Sequence, residues 1–338
     1  MALLCALGAC SPKGDKDPLP MIRNMIAQEK ALNYQGTKVM TRSAKGKMVT
    51  AKMRFSRKAP DTFRMVFLEP ADMQGQEFIK IGQNFWRVSP DKSKGERHMR
   101  MMGMRRNLEI KDLDLLSNNY TISYEGTGTV AGRTCYVVRI EPRGASPVSA
   151  KLWLDKHYYF ALKAEEYVAE GGSARLRSSF HFEDISFHPT FSDDTFTVPI
   201  SDGATSIVGG ISREKVTAAE AQRELKRTLF LPEYIPAGFR LDGLKIFKRG
   251  GKESFHAVYT DGLGTISLFE GKKWEDEPRG KKKPEAVKKD GKVVYRIKRG
   301  PLTVLTGTME GTDVTLMGEV SQDELLSVFS SLKKVTPQ

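Results

Sequence analysis

The stretch SSFHFEDISF, residues 178–187, sets Phe180 and Phe182 in alternation with His181 and Glu183. Successive side chains of a β-strand point to opposite faces, so this period of two predicts a strand with one apolar and one wet face. The pattern extends back through Leu176, Arg175 and Arg177, and recurs upstream in Phe160, Leu162 and Ala164. It recurs again in Tyr120, Ile122 and Tyr124, in Phe63, Met65 and Phe67, and in Val49, Ala51, Met53 and Phe55. So many alternating runs in one order predict a long antiparallel sheet with a single apolar face. Turns are legible between them at SAKGK (43–47), GTGTVAG (126–132), RGASP (143–147) and AEGG (169–172).

Two helices are expected beside this sheet. Ile22, Met25, Ile26 and Leu32 recur at helical spacing over 18–32, and EIKDLDLLSNN (109–119) predicts a short helix that covers the apolar face. The sheet is expected to end near DDTFTVPI (193–200), followed by the Gly- and Ser-rich linker SDGATSIVGGIS (201–212). Beyond it a helix is predicted from Ala218 to Phe230. Strands follow in YIPAGFRLDGLKIF and SFHAVYTDGLGTISLFEG, then a charged surface loop, EDEPRGKKKPEAVKKDGK (275–292). VVYRIKR, LTVLTGTM and DVTLMGEV predict three more strands, and a closing helix runs from Gln322 to Leu332 with Ser321 as its cap. The expected organisation is a signal remnant and tether over 1–17, a first domain over 18–200, a linker over 201–214 and a smaller α+β domain over 215–338.

The chain has 338 residues, enough for two cores, and its 54 Lys+Arg against 41 Asp+Glu give a formal charge of +13. That field favours anionic partners without choosing among them. MALLCALGAC (1–10) is apolar, ends in small residues before Cys10, and is followed by the polar SPKGDKDPLP. This predicts the end of a lipoprotein signal with Cys10 as the lipid attachment point, although a positively charged n-region does not precede it in this sequence. An N-terminal strand or buried helix end is the alternative. Ser11 after the cysteine favours the outer membrane. Cys135, inside RTCYVVRI, is expected to be a buried, inert thiol.

No local motif supports catalysis: HExxH, GxSxG, Walker and dinucleotide-glycine patterns are missing, and His98, His157, His181, His188 and His256 lack metal-ligand spacing. A non-enzymatic protein without metal or cofactor is expected. Nucleic-acid binding has the charge but not the exposed aromatics that stack bases. RHMRMMGMRR (97–106) sets Met99, Met101, Met102 and Met104 among Arg97, Arg100, Arg105 and Arg106. Thioethers are soft ligands that suit copper, but the arginines would place cations beside a cation. The segment is either a Met-rich edge of the core or an adaptable lip, its arginines meeting phosphate or carboxylate and its methionines hydrocarbon.

From Leu19 to Pro199 the order of elements resembles the superfamily of LolA-type lipoprotein carriers and the N-terminal domain of MucB/RseB sigma-E regulators. The phrases that carry this are ALNYQGT, FLEPADMQGQEFIKIGQNFWRVSPDKSK, YTISYEGTGTVAGRTCYVVRIEPR, KLWLDKHYYFALKAEEY and SSFHFEDISF. LPEYIPAGFRL, AVYTDGLGTISLFE and RGPLTVLTGTMEGTDVTLMGEVSQDELLSVFSSL resemble the small C-terminal domain of MucB/RseB, which simple LolA-type carriers lack. The resemblance implies an α+β fold: an unclosed antiparallel β half-barrel with covering helices around an apolar cavity, then a smaller domain. It also implies a periplasmic protein that binds a single-pass anti-sigma factor and releases it when envelope lipid accumulates. A lipid-anchored Cys10 departs from that family's usual soluble members. LolA- or LolB-like transport of lipoproteins or lipid is the rival reading.

The half-barrel residues expected to meet an acyl chain or lipoprotein are Met53, Phe55, Met65, Phe67, Phe180 and Phe182. Burial of apolar surface returns about 0.8 kcal/mol per methylene, so such a face would hold an acyl chain by several kcal/mol. The same face is equally compatible with a filled core.

Overall fold

The computed structural model describes residues 16–44, 47–82, 84–88, 110–144, 146–170, 172–198, 204–206, 212–214, 216–249, 252–271, 285–289, 292–299 and 302–335. Eleven strands make one antiparallel sheet: β1 (Tyr34–Ala44), β2 (Lys47–Lys58), β3 (Thr62–Glu69), β4 (Glu77–Ile81), β5 (Asn84–Val88), β6 (Tyr120–Val130), β7 (Arg133–Pro142), β8 (Val148–Asp155), β9 (Ala161–Glu170), β10 (Ser173–Phe187) and β11 (Ala204–Ser206). Their order is β11-β5-β4-β3-β2-β1-β10-β9-β8-β7-β6. Two runs of hairpins therefore meet where β10 returns to β1, paired from Tyr34 opposite Phe187 to Arg42 opposite Ser178 with a register shift between Thr37 and Lys38. The edge strands β6 and β11 do not pair with each other, so the sheet remains an unclosed half-barrel.

Helix α1 (Leu19–Ala31) packs Met21, Ile22 and Met25 into the main core with Leu152, Leu162, Phe160 and Phe182 of the sheet. Helix α2 (Leu113–Asn119) is started by Asp112, whose carboxylate accepts from the Leu115 amide at 2.8 Å, and it buries Leu116 in the same core. The structure shows a tighter β6–β7 turn than GTGTVAG suggested. Gly126 and Gly128 belong to β6, and only Ala131 and Gly132 turn. Gly126 (φ +107°) is the site of a register shift, and a Cβ on Gly128 would meet the Trp153 indole at 3.2 Å. These glycines serve a bulge and a close approach rather than a loop. Leu176, counted with the inward series, is 36% exposed beside a second register shift.

The second sheet has eight strands in the order β12-β14-β15-β16-β20-β19-β18-β17. They are β12 (Ser212–Glu214), β14 (Arg240–Arg249), β15 (Lys252–Thr260), β16 (Thr265–Glu270), β17 (Glu285–Lys289), β18 (Lys292–Arg299), β19 (Leu302–Met309) and β20 (Thr312–Gly318). The pair β13 (Phe230–Pro232) and β21 (Leu332–Lys334) lies apart from it. Helices α3 (Ala218–Leu225) and α4 (Gln322–Ser330) complete the unit. Ala221 of α3 and Leu325, Leu326, Val328 and Phe329 of α4 join the second core.

Several expectations needed correction here. Helix α3 stops five residues before Phe230, because Lys226 turns left-handed (φ 50°) and Glu270, wholly buried, captures the Phe230 amide at 2.8 Å and Arg227 at 2.9 Å. Burial pushes the Glu270 carboxyl up, against those two partners. The charged stretch 275–292 contains β17, paired with β18 from Glu285 opposite Arg296 to Lys289 opposite Lys292. Within the expected linker, β11 adds to β5 of the first sheet and β12 to β14 of the second.

The two units touch through α2 and the turns of the second sheet. Asn119 donates to the carbonyls of Gly238 (2.8 Å) and Asp261 (2.9 Å), and the Tyr120 hydroxyl donates to Asp261 Oδ2 at 2.7 Å. Gly262 (φ +106°) comes so close to α2 that a Cβ would lie 2.9 Å from the Leu116 Cα. Farther along the contact, Arg177 of β10 bonds Glu166 (2.6 Å) and Glu319, both carboxylates being buried.

Candidate functional site

The apolar face of the half-barrel is built by cross-strand registration. Met53 lies opposite Phe67 and Phe55 opposite Met65 across β2 and β3, while Lys38 of β1 lies between Met53 and Phe182. Of the six residues proposed from sequence, Met53, Phe67, Phe180 and Phe182 are buried, and Phe55 and Met65 are half-buried. They do not form one group. Phe55, Phe180 and Phe182 belong with α1 and β6–β10, whereas Met53, Met65 and Phe67 pack with Ala51, Met73 and Phe78. Met40, half-buried on β1, touches both groups and joins them.

An aromatic cluster runs along the first group. Tyr34 stacks on Phe55 with centroids 5.7 Å apart, meets Phe160 at 4.6 Å, and meets Phe182 edge-on at 5.9 Å. Burial pushes the Tyr34 hydroxyl far above its ordinary range, so it stays neutral. Gln76, after the β3–β4 turn, is 2% exposed, and among the described residues neither polar atom of its side chain has a hydrogen-bond partner. The sequence reading passed over Tyr34, Lys38, Met73 and Phe78. Tyr34, Lys38 and Met40 share one parity along β1, and that parity was the available signal.

A shallow depression of about 250 Å³ lies elsewhere, lined by Gly132, Arg133, Thr134, Asp155, Lys156 and His157. Its carboxylate is already engaged. Asp155 accepts from Arg133 at 2.6 Å and from the His157 and Tyr158 amides at 3.0 and 2.8 Å, which makes it a turn clamp. Cys135 is buried, and burial pushes its thiol up to about 11. No group of three or more His, Cys, Asp or Glu among the described residues would hold a metal ion, and none of their helices is long and apolar enough to cross a membrane. Cys10 and the Met/Arg segment, including Arg97, Met99, Met101, Met102, Met104 and Arg105, lie outside the described residues.

The profile of the MucB/RseB N-terminal domain matches residues 17–199, more than half of the chain. The chain belongs to the MucB/RseB family. Its fold is also that of solved MucB structures. The complex of Pseudomonas aeruginosa MucA/MucB gives a TM-score of 0.61 at 18% identity, covering 95% of this chain and 100% of that one. MucB in complex with MucA(peri) gives 0.60 at 19% identity with the same coverage, and a further crystal structure of MucB gives 0.57 at 18%, covering 94% and 97%. A curated relative, the uncharacterized protein MJ0687 of Methanocaldococcus jannaschii, is 21% identical over 234 residues. That match takes in 66% of this chain, and the chain spans 64% of that relative's length. The MucB likeness therefore covers both sheets, whereas the MucB/RseB profile covers the half-barrel.

Proposed function

We propose that this MucB/RseB family member is a non-enzymatic regulator of a single-pass anti-sigma factor, and that it binds an acyl-chain lipid or a lipoprotein on the apolar face of its half-barrel. The observation that carries the reading is the likeness to MucB over both units, with MucA-bound MucB among the similar structures. A carrier needs only the half-barrel. The second sheet, docked through Asn119, Tyr120 and Arg177, supplies a further surface for a protein partner. The face itself is apolar, with half-buried Met40, Phe55, Phe63 and Met65 left for hydrocarbon. We place the protein in the periplasm, anchored to a membrane, with the outer one favoured, through acyl chains on Cys10, whose neighbours have the pattern of a lipoprotein signal.

The test is crosslinking in cells of the tagged full chain, with proteins and extractable lipids from the envelope identified by mass spectrometry. Enrichment of one single-pass protein with a cytoplasmic anti-sigma segment, together with acyl lipid, is the expected result. Enrichment of many lipoproteins or bulk lipid without such a protein would reassign the chain as a LolA- or LolB-like carrier.

A further inference from the structure

Lys38 stands out on the apolar face. It occupies an inward position of β1, flanked by Met53 and Phe182 on the neighbouring strands. Its Nζ lies 3.8 Å from the centre of the Phe180 ring and 5.5 Å from that of Phe182. Among the described residues no carboxylate or carbonyl accepts a hydrogen bond from it. Burial lowers the ammonium to about 8, and the carboxylate acting to raise it is Glu29, in the last turn of α1. Tyr34, two inward positions away, stays neutral.

A strand position between Met and Phe is best filled, for stability alone, by another apolar side chain. An ammonium there loses hydration and recovers only part of it from aromatic faces. The charge is thus poised for a counter-ion that arrives with an apolar body. Lys38 is half-buried, as are Met40, Phe55, Phe63 and Met65, so this is where the face is open.

We infer that Lys38 is a ligand-binding residue that pairs with the carboxylate of a long-chain acyl amphiphile whose tail lies along Met40, Phe55, Phe63 and Met65. One ammonium on an otherwise apolar face balances the single charge of a carboxylate, whereas a phosphate monoester carries about −1.5 to −2 at pH 7 and would bring uncompensated charge onto that face. The inference rests on the acyl-binding reading above and adds the head group and the residue that selects it.

The experiment compares the fluorescent fatty acid cis-parinaric acid with its methyl ester on the full chain at pH 7. The wild type is expected to bind the acid roughly tenfold or more tighter than the ester, the range of a charge-assisted hydrogen bond. Lys38→Met should lower affinity for the acid to that for the ester and leave the ester unchanged, while Lys38→Arg keeps a preference for the acid. Circular dichroism checks that each variant folds. Equal affinities in the wild type, or a preference that survives in Lys38→Met, overturn the role of Lys38 while leaving acyl binding intact. Binding of neither probe overturns acyl binding itself. Displacement of the probe by dodecyl phosphate more strongly than by dodecanoate overturns the carboxylate assignment.

Discussion

Replacing Arg177 by Met should loosen the two units from each other. The guanidinium bonds Glu166 of β9, to which Ser178 also donates at 2.6 Å, and reaches Glu319 just beyond β20. Burial disfavours its charge, but Glu319 and Glu166 more than offset this and hold its pKa above the ordinary arginine range. Removing the cation takes the shared positive charge from two carboxylates whose side chains are only 8% and 5% exposed. Breaking such a buried arrangement costs about 3–5 kcal/mol. Because the Arg177 side chain is itself 21% exposed, the lower end, about 3 kcal/mol, is the better expectation. For a unit of this size that corresponds to roughly 6–12 °C in Tm. Scanning calorimetry should show the first transition moving down by that amount and separating from the second. Replacing Arg177, Glu166 and Glu319 together by Met, Leu and Leu should recover most of the loss, because the buried cation and both buried carboxylates are then exchanged together for apolar side chains. A shift under 2 °C for Arg177→Met would refute the reasoning.

Three further outcomes follow from the same geometry. Gly262→Ala should cost about 1–3 kcal/mol in urea unfolding, through its positive φ and the close Leu116 backbone, and Gly132→Ala (φ +70°, open space) clearly less. Lys38→Met should raise stability at neutral pH. Since the folded Lys38 titrates near 8, below its ordinary value of 10.5, the wild type binds fewer protons folded than unfolded between those values, and its stability rises with pH there. The advantage of Lys38→Met should therefore be full below pH 8 and shrink towards 10.5; an advantage that grows with pH would contradict the burial of the ammonium. Cys135, with its thiol pushed up to about 11, should label with iodoacetamide at pH 8 at less than about a tenth of the rate of the urea-unfolded chain, read by peptide mass spectrometry.

The half-barrel was largely legible because β2, β3, β6, β9 and β10 each carry their own alternation. Phe180 and Phe182, or Met53 and Phe55, can be assigned to a face without knowledge of their partners. Helix α1 was legible for the same reason at a different period, and Ser321 caps α4 as its position implied, accepting from the Glu324 amide at 3.2 Å. What failed was decided by tertiary contacts. The residues Glu285–Lys289 have no apolar alternation and look solvated, yet β18 offers them a strand edge. Helix α3 is cut short by Glu270, a residue some forty positions beyond Phe230, whose amide it captures after Lys226. Membership of the apolar face was equally hard to divide. Sequence gives the parity of Met53 and Phe55 but not that sheet curvature sends one towards Phe67 and Phe78 and the other towards Tyr34 and Phe182. Lys38 shares the inward parity of Tyr34 and Met40, but a lysine in a strand is ordinarily solvated, and the rings of Phe180 and Phe182 are what confirm it as inward.

The central claim is that acyl binding at the half-barrel and partner binding are linked. By reciprocity, a ligand that weakens the partner must itself be weakened by the partner. The direct measurement is the Kd of the purified full chain for the periplasmic segment of the single-pass protein that crosslinks to it, with and without a saturating long-chain fatty acid. The account predicts a Kd at least about tenfold weaker with the fatty acid bound, and a weaker fatty-acid Kd by the same factor in the presence of the segment. A partner Kd that does not change with fatty acid bound would contradict it.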